Sequence, residues 1–140
     1  MNETEWVGPN GVVIDIGTGS RKPPRWALQL IDRVCYRENI GWLRLRWVHS
    51  SRNGSGYCYG RHHIAIRADA NDDDRTRYLI LHELAHAANR KLDIHGDGFY
   101  DSLVRVATAE RATRLVRREH VRSHAKAPLV RAFRRQRETA

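Results

Sequence analysis

His82-Glu83-Leu84-Ala85-His86, followed nine residues later by His95-Gly96, is the stretch on which the reading of this 140-residue chain turns. Successive residues of an α-helix advance by about 100°, so His82 and His86 lie about 40° apart on one face and both imidazoles can reach one ion. Glu83 stands about 60° round from His86, close enough to act on a water beside that ion without ligating it. His95 is the expected third ligand. One tetrahedral position then stays open for water, whose pKa zinc lowers from about 15.7 to near 7. With 8 histidines in the chain, random placement of His-Glu-x-x-His has an expected count of about 0.02, so the motif is unlikely by chance but not decisive without its context.

The flanks predict how the motif is held. Taking His82 as zero, Leu81, Ala85, Ala88 and Leu92 cluster near about −100°, with Leu84 just beyond, so an apolar stripe packs inward beside the ligand stripe. Asp72-Asp73-Asp74 offers an N-cap and acidic first-turn charges for a helix from about Asp73 to Lys91. The spacing of these aspartates does not suit a calcium loop. Asn89, three residues beyond His86, is a candidate to hold a ligand or to end the helix. Tyr100 is a candidate to touch substrate or steady a developing oxyanion. His62 and His63 are adjacent on a strand and so face opposite ways. Neither is taken as a ligand.

Outward from the motif, Val12 to Ile16 reads as a strand and Pro24 to about Asn39 as a helix opened by two prolines. Leu43 to Val48 alternates apolar and basic residues, the period of a half-buried strand. Ser50 to Gly56 is a polar connection. Tyr57-Cys58-Tyr59 and His63 to Arg67 make a hairpin or one bent strand around Gly60. Gly96 and Gly98 permit a reversal that brings His95 back over the motif, before a helix from about Phe99 to Ser123. Pro128 interrupts the pattern, and Leu129 to Arg137 is a short basic helix or a frayed tail. The expected organisation is α+β, with one domain over residues 1–124 and a basic helix or tail over 125–140.

A hydrophobic fraction of 41% with 29% charged residues suits one soluble domain and argues against disorder. No run reaches the 18 or so apolar residues of a membrane span, and the acidic start lacks a signal-peptide core, so the expected setting is cytoplasmic. Cys35 and Cys58 form no Cys-x-x-Cys pair and read as free thiols. The net charge of +9 is uneven: residues 101–140 hold 11 basic against 4 acidic side chains. Arg114, Arg117, Arg118, Arg122, Arg134 and Arg135 are candidates for phosphate contacts with DNA or RNA. The plain alternative is a solvated helix face.

His82-Glu83-Leu84-Ala85-His86-Ala87, then His95-Gly96 with Phe99 three positions on, resembles the core signature of the SprT-like zinc metallopeptidases, within the zincin group. Gly56-Tyr57-Cys58 to Ile64-Ala65-Ile66 is similar to the strand region that precedes the active helix in that family. The likeness covers roughly residues 56–105. It implies a zincin-like metalloprotease core with a small antiparallel or mixed sheet, an active-site helix and C-terminal helices. It further implies one zinc ion per chain on His82, His86 and His95, Glu83 as catalytic acid/base, and cleavage of proteins associated with DNA. The cysteine-rich zinc ribbon found in many members is not here.

The expected activity is therefore that of a zinc metalloendopeptidase acting on protein or peptide, with DNA a partner through the basic C-terminal region and no membrane partner. Substrate is expected to extend along an edge strand carrying Ile64 and Ile66. The alternative is a non-catalytic, zinc-stabilised nucleic-acid-binding module. A metal-dependent nuclease has less support, because such chemistry recruits several carboxylates and this cluster offers one.

Overall fold

The alternating segments assemble into one mixed sheet backed by helices. In the computed structural model, which describes residues 4–17, 19–50, 54–91 and 93–139, the strands are β1 (Glu5–Val7), β2 (Val13–Ile16), β3 (Trp42–Ser50), β4 (Ser55–Cys58) and β5 (His63–Asp69). Among the described residues the helices are α1 (Arg25–Arg37), α2 (Asp73–Ala88), α3 (Asp97–Ala109), α4 (Thr113–His120) and α5 (Ala127–Thr139). The class is α+β, as expected.

Sheet order is β1-β2-β3-β5-β4. β2, β3 and β5 run parallel, while β1 and β4 pair antiparallel at the two edges. The parallel β2–β3 step needs a crossover, which α1 supplies. Alternation in β3 sends Leu43, Leu45 and Trp47 inward and Trp42, Arg44 and Arg46 outward. Ile64 and Ile66 of β5 join the buried side. One face of the sheet therefore meets the helices, and the other is left uncovered by the described residues.

Four expectations change. β5 is paired on both sides, so Ile64 and Ile66 are interior and the free edge beside the motif belongs to β4. β1 was not foreseen; it is three residues long and sits behind the turn Gly8-Pro9-Asn10-Gly11. α2 stops at Ala88 rather than Lys91, because Asn89 turns extended (φ −76°, ψ 111°). The helix expected over 99–123 is two helices, parted where Arg111 adopts a left-handed backbone (φ 54°), a conformation that costs a non-glycine residue about 1 kcal/mol or more. The buried Glu110 beside it accepts from Arg33 and Arg37 of α1, which anchors the reversal.

α2 is capped as its sequence suggests: the Asp72 side chain accepts from the Arg75 N–H at 3.0 Å, with Asp73 and Asp74 in the first turn. It is not a surface helix with one apolar stripe. Packed between the sheet and the other helices, it buries Leu81, Leu84, Ala85 and Ala88 together with His82 and Glu83. Leu92, expected on the same stripe, lies outside the described residues.

Candidate metal centre

α2 presents His82 and His86 one turn apart, and the turn after Asn89 brings His95 to them. One donor atom from each ring fits within a mutual distance of 4.8 Å. His82 Nε2 and His95 Nε2 lie 3.4 Å apart. Two nitrogens at tetrahedral corners, each about 2.0–2.1 Å from a zinc ion, would stand about 3.3 Å apart, so this spacing suits a shared cation. Phe99 backs all three rings, stacking on His86 with centroids 4.1 Å apart and meeting His82 and His95 at 4.9 Å. It is fully buried, so the ligands rest on a hard apolar wall.

The donor set is chemically ready for a metal. Burial, and then the neighbouring histidines, push His82 far below the usual histidine range, and burial with His95 and His124 nearby brings His86 down to about 4. At neutral pH these rings are uncharged, with lone pairs available.

Behind His82 runs a buried chain of polar contacts. Tyr78 Oη lies 3.0 Å from His82 Nδ1 and 2.6 Å from His120 Nδ1, and Tyr100 Oη lies 3.0 Å from His120 Nε2. Two proton assignments satisfy all three contacts, running in opposite directions along the chain; in the one that suits a metal, His82 Nδ1–H donates to Tyr78, the Tyr78 hydroxyl donates to His120 Nδ1, and His120 Nε2–H donates to Tyr100. That assignment leaves the lone pair of His82 on Nε2, facing His95. Fixing a ligand tautomer through its other nitrogen is how outer groups tune metal sites.

Glu83 lies on the other side of α2's ligand pair, against the edge strand. A Cβ added at Gly56 of β4 would fall 2.7 Å from both Cγ and Oε2 of Glu83, so the close approach of strand and carboxylate depends on glycine. Burial raises the Glu83 carboxyl to about 8. Burial and the Glu83 charge also push the Cys58 thiol up to about 12, which keeps it an inert neutral group. A cavity of about 1040 Å³ opens here, walled by β4, by α2 at His82, Glu83 and His86, and by loop residues Ile94, His95 and His124.

Asn89 ends α2 and ties down the His95 loop. Its Nδ2 donates to the Asp93 carboxylate at 2.6 Å and to the Asp93 carbonyl at 2.9 Å. Asp93 in turn accepts from the backbone N–H groups of Gly98 and Phe99, capping α3. Gly98 is hemmed in, since a Cβ there would lie 2.7 Å from Asn89 Oδ1.

Other singled-out residues are placed elsewhere. Tyr100 is buried and bonds to His120, and it does not line the cavity. His62 stacks on Trp42 and His63 leans on Tyr59, both away from the cavity. Of the arginines, Arg118 and Arg122 pair with Glu119, Arg135 with Asp101, and Arg117 lies over the Phe133 ring at 3.9 Å. Arg114 and Arg134 are exposed.

His120 and His124 were missed. Their rings stack at 4.6 Å, and that of His124 comes within 5.1 Å of His82 and 5.0 Å of His95. A four-residue spacing is visible, but it sits in an arginine-rich run whose glutamate, Glu119, precedes the first histidine instead of following it. No helix of the described residues is long and apolar enough to cross a membrane.

Compared with protein-family models, curated proteins and solved structures, the chain matches none.

Proposed function

We propose that this chain is a zinc-dependent metalloendopeptidase of the SprT-like kind, acting on proteins associated with DNA. The observation that carries the reading is three imidazole donors within 4.8 Å of one another, with Glu83 beside them in a cavity bounded by a free strand edge. His82, His86 and His95 would hold the ion. When bound there, zinc supplies Lewis acidity, polarising a carbonyl and making a water more acidic.

The chain's own groups do the remaining work. Glu83, buried beside the ligand pair, takes the proton of the attacking water and returns it to the departing amine. Tyr78 can accept from His82 Nδ1–H, which steadies the ring in the tautomer that keeps Nε2 free for the ion. The outer backbone of β4 offers N–H and C=O groups to an extended peptide, a mode of binding that needs little side-chain specificity. The exposed C-terminal arginines support contact with DNA, and two free thiols support a cytoplasmic setting.

The test is Glu83→Gln on the full chain, with zinc content and casein cleavage measured together. The reading expects one zinc per chain in both proteins, and cleavage by the parent that falls at least a hundredfold in the variant. A parent that holds zinc and cleaves nothing gives way to the non-catalytic binding module. Equal cleavage by both proteins removes Glu83 from the chemistry.

A further inference from the structure

The uncovered face of the sheet, opposite α2, is unlike ordinary solvent-facing sheet. Register places Trp42, Arg44 and Arg46 of β3, His63 and Arg67 of β5, and Tyr57 of β4 on this one face. Trp42 is 51% exposed and Tyr57 64% exposed, although aromatic rings are usually the first side chains a fold hides.

The rings are ordered rather than scattered. His62 lies flat against the Trp42 indole, with centroids 4.2 Å apart and planes 5° apart, and its Nδ1 bonds to the Trp42 carbonyl. Tyr59 bridges the others, 5.0 Å from His63 and 6.1 Å from Tyr57. Beside this aromatic band runs a band of guanidinium groups. Arg46 and Arg67 have no ion-pair partner among the described residues, and Arg44 has only a 3.4 Å contact to Asp15 near the β2 side. The acidic groups of this face, Asp15 and Glu5, lie on its β2–β1 flank; no acidic residue faces outward on β4, and none on β5 before its final residue, Asp69, which is buried.

We propose that this face binds single-stranded nucleic acid, with bases stacked on Trp42, His63 and Tyr57 and phosphates held by Arg44, Arg46 and Arg67. Unpaired bases present π-faces at a spacing that rings can meet, and the backbone brings one negative charge per nucleotide, so both bands are used together. A second copy of the chain is a poor occupant, because face-to-face packing sets guanidinium groups against guanidinium groups. The surface meets the metal-centre cavity only at the β4 edge, where Tyr57 borders both, and the proposal does not depend on the catalytic reading.

The experiment is fluorescence anisotropy of a labelled 20-nucleotide oligothymidylate with the full chain, repeated with oligouridylate of the same length to distinguish DNA from RNA. Three phosphate contacts on a single strand predict about a twentyfold loss of affinity between 50 and 200 mM salt. Trp42→Ala should weaken binding about fivefold or more, by loss of stacking. The pair Arg46→Gln and Arg67→Gln should weaken it and flatten the salt dependence. These side chains are exposed, so circular dichroism should show the parent fold in both variants. If either variant unfolds, the other still decides.

Salt-insensitive or undetectable binding overturns the proposal. So does tighter binding to duplex, or binding that survives both sheet variants and disappears in Arg114→Ala with Arg134→Ala. Capture of polyglutamate or of anionic vesicles through the same side chains, without the oligonucleotides, assigns the face to a different partner.

Discussion

Tyr78 shows how much a single hydroxyl can determine. It is buried, and its oxygen sits between His82 Nδ1 and His120 Nδ1. Without that oxygen the His82 Nδ1–H loses its acceptor, so the tautomer that leaves Nε2 free for the ion loses its support. Tyr78→Phe keeps the ring, its packing and the three ligands. Losses of about 10–100-fold in metal affinity are typical when such outer partners are removed. The expected outcome is a zinc affinity lowered by that factor, read by competition with a chromophoric chelator, in a protein whose melting temperature without metal drops only modestly. An unchanged affinity would show that the chain Tyr78–His120–Tyr100 is packing alone.

At the level of elements, the centre is a helix plus a strapped loop, and the two differ in what fixes them. α2 is held on several sides by the sheet and by α1, α3 and α4. The His95 loop is held by Asp93, which receives the Asn89 amide and caps α3 through Gly98 and Phe99. Asp93→Ala should therefore spare His82 and His86 while releasing His95. The expected result is zinc binding weakened by tenfold or more, with a loss of about 1 kcal/mol of stability from the missing cap. Urea unfolding of the metal-free protein checks the second figure. This division also explains what the sequence disclosed. The i, i+4 geometry of His82 and His86 follows from one helix, and the Gly96 and Gly98 reversal from local backbone freedom, so the three rings could be brought together on paper. The break at Arg111 had no glycine or proline to announce it, and it is held by the long-range pairing of Glu110 with Arg33 and Arg37. Because that break was hidden, so was the arrival of His120 and His124 behind and above the ligands. The edge strand was misassigned for a similar reason: Ile64 and Ile66 look like any buried strand, and only pairing shows that β4 lies outside them.

For the whole molecule, the histidine cluster ties folding to acidity. Unfolded, each ring takes a proton at about 6.5. Folded, His86 and His120 resist until about 4, chiefly through burial, and His82 resists further still. Between those values the unfolded chain binds more protons than the folded one, so stability rises with pH there. The contribution is complete above about 6.5 and is lost as pH falls towards about 4. Urea midpoints of the zinc-free protein from pH 7.5 to 4.5 should fall steadily, and replacing His120 with Phe should flatten the curve. A midpoint indifferent to pH over that range would contradict the burial of these rings. Glu110 adds a further loss at lower pH. Burial alone would raise its carboxyl, but the hydrogen bonds and charges of Arg33 and Arg37 outweigh that and hold it below the usual range.

β4 carries one last consequence. A strand with a free flank is sticky towards any extended chain, including another molecule of its own kind, and long flanks of this sort seed aggregates. At four residues it exposes only about two residues' worth of outward amide and carbonyl groups, too short a ribbon to hold a neighbour by itself. A visitor lying there must find additional grip in the hollow beneath, so brief encounters are released and only chains that also reach the floor of the cleft stay.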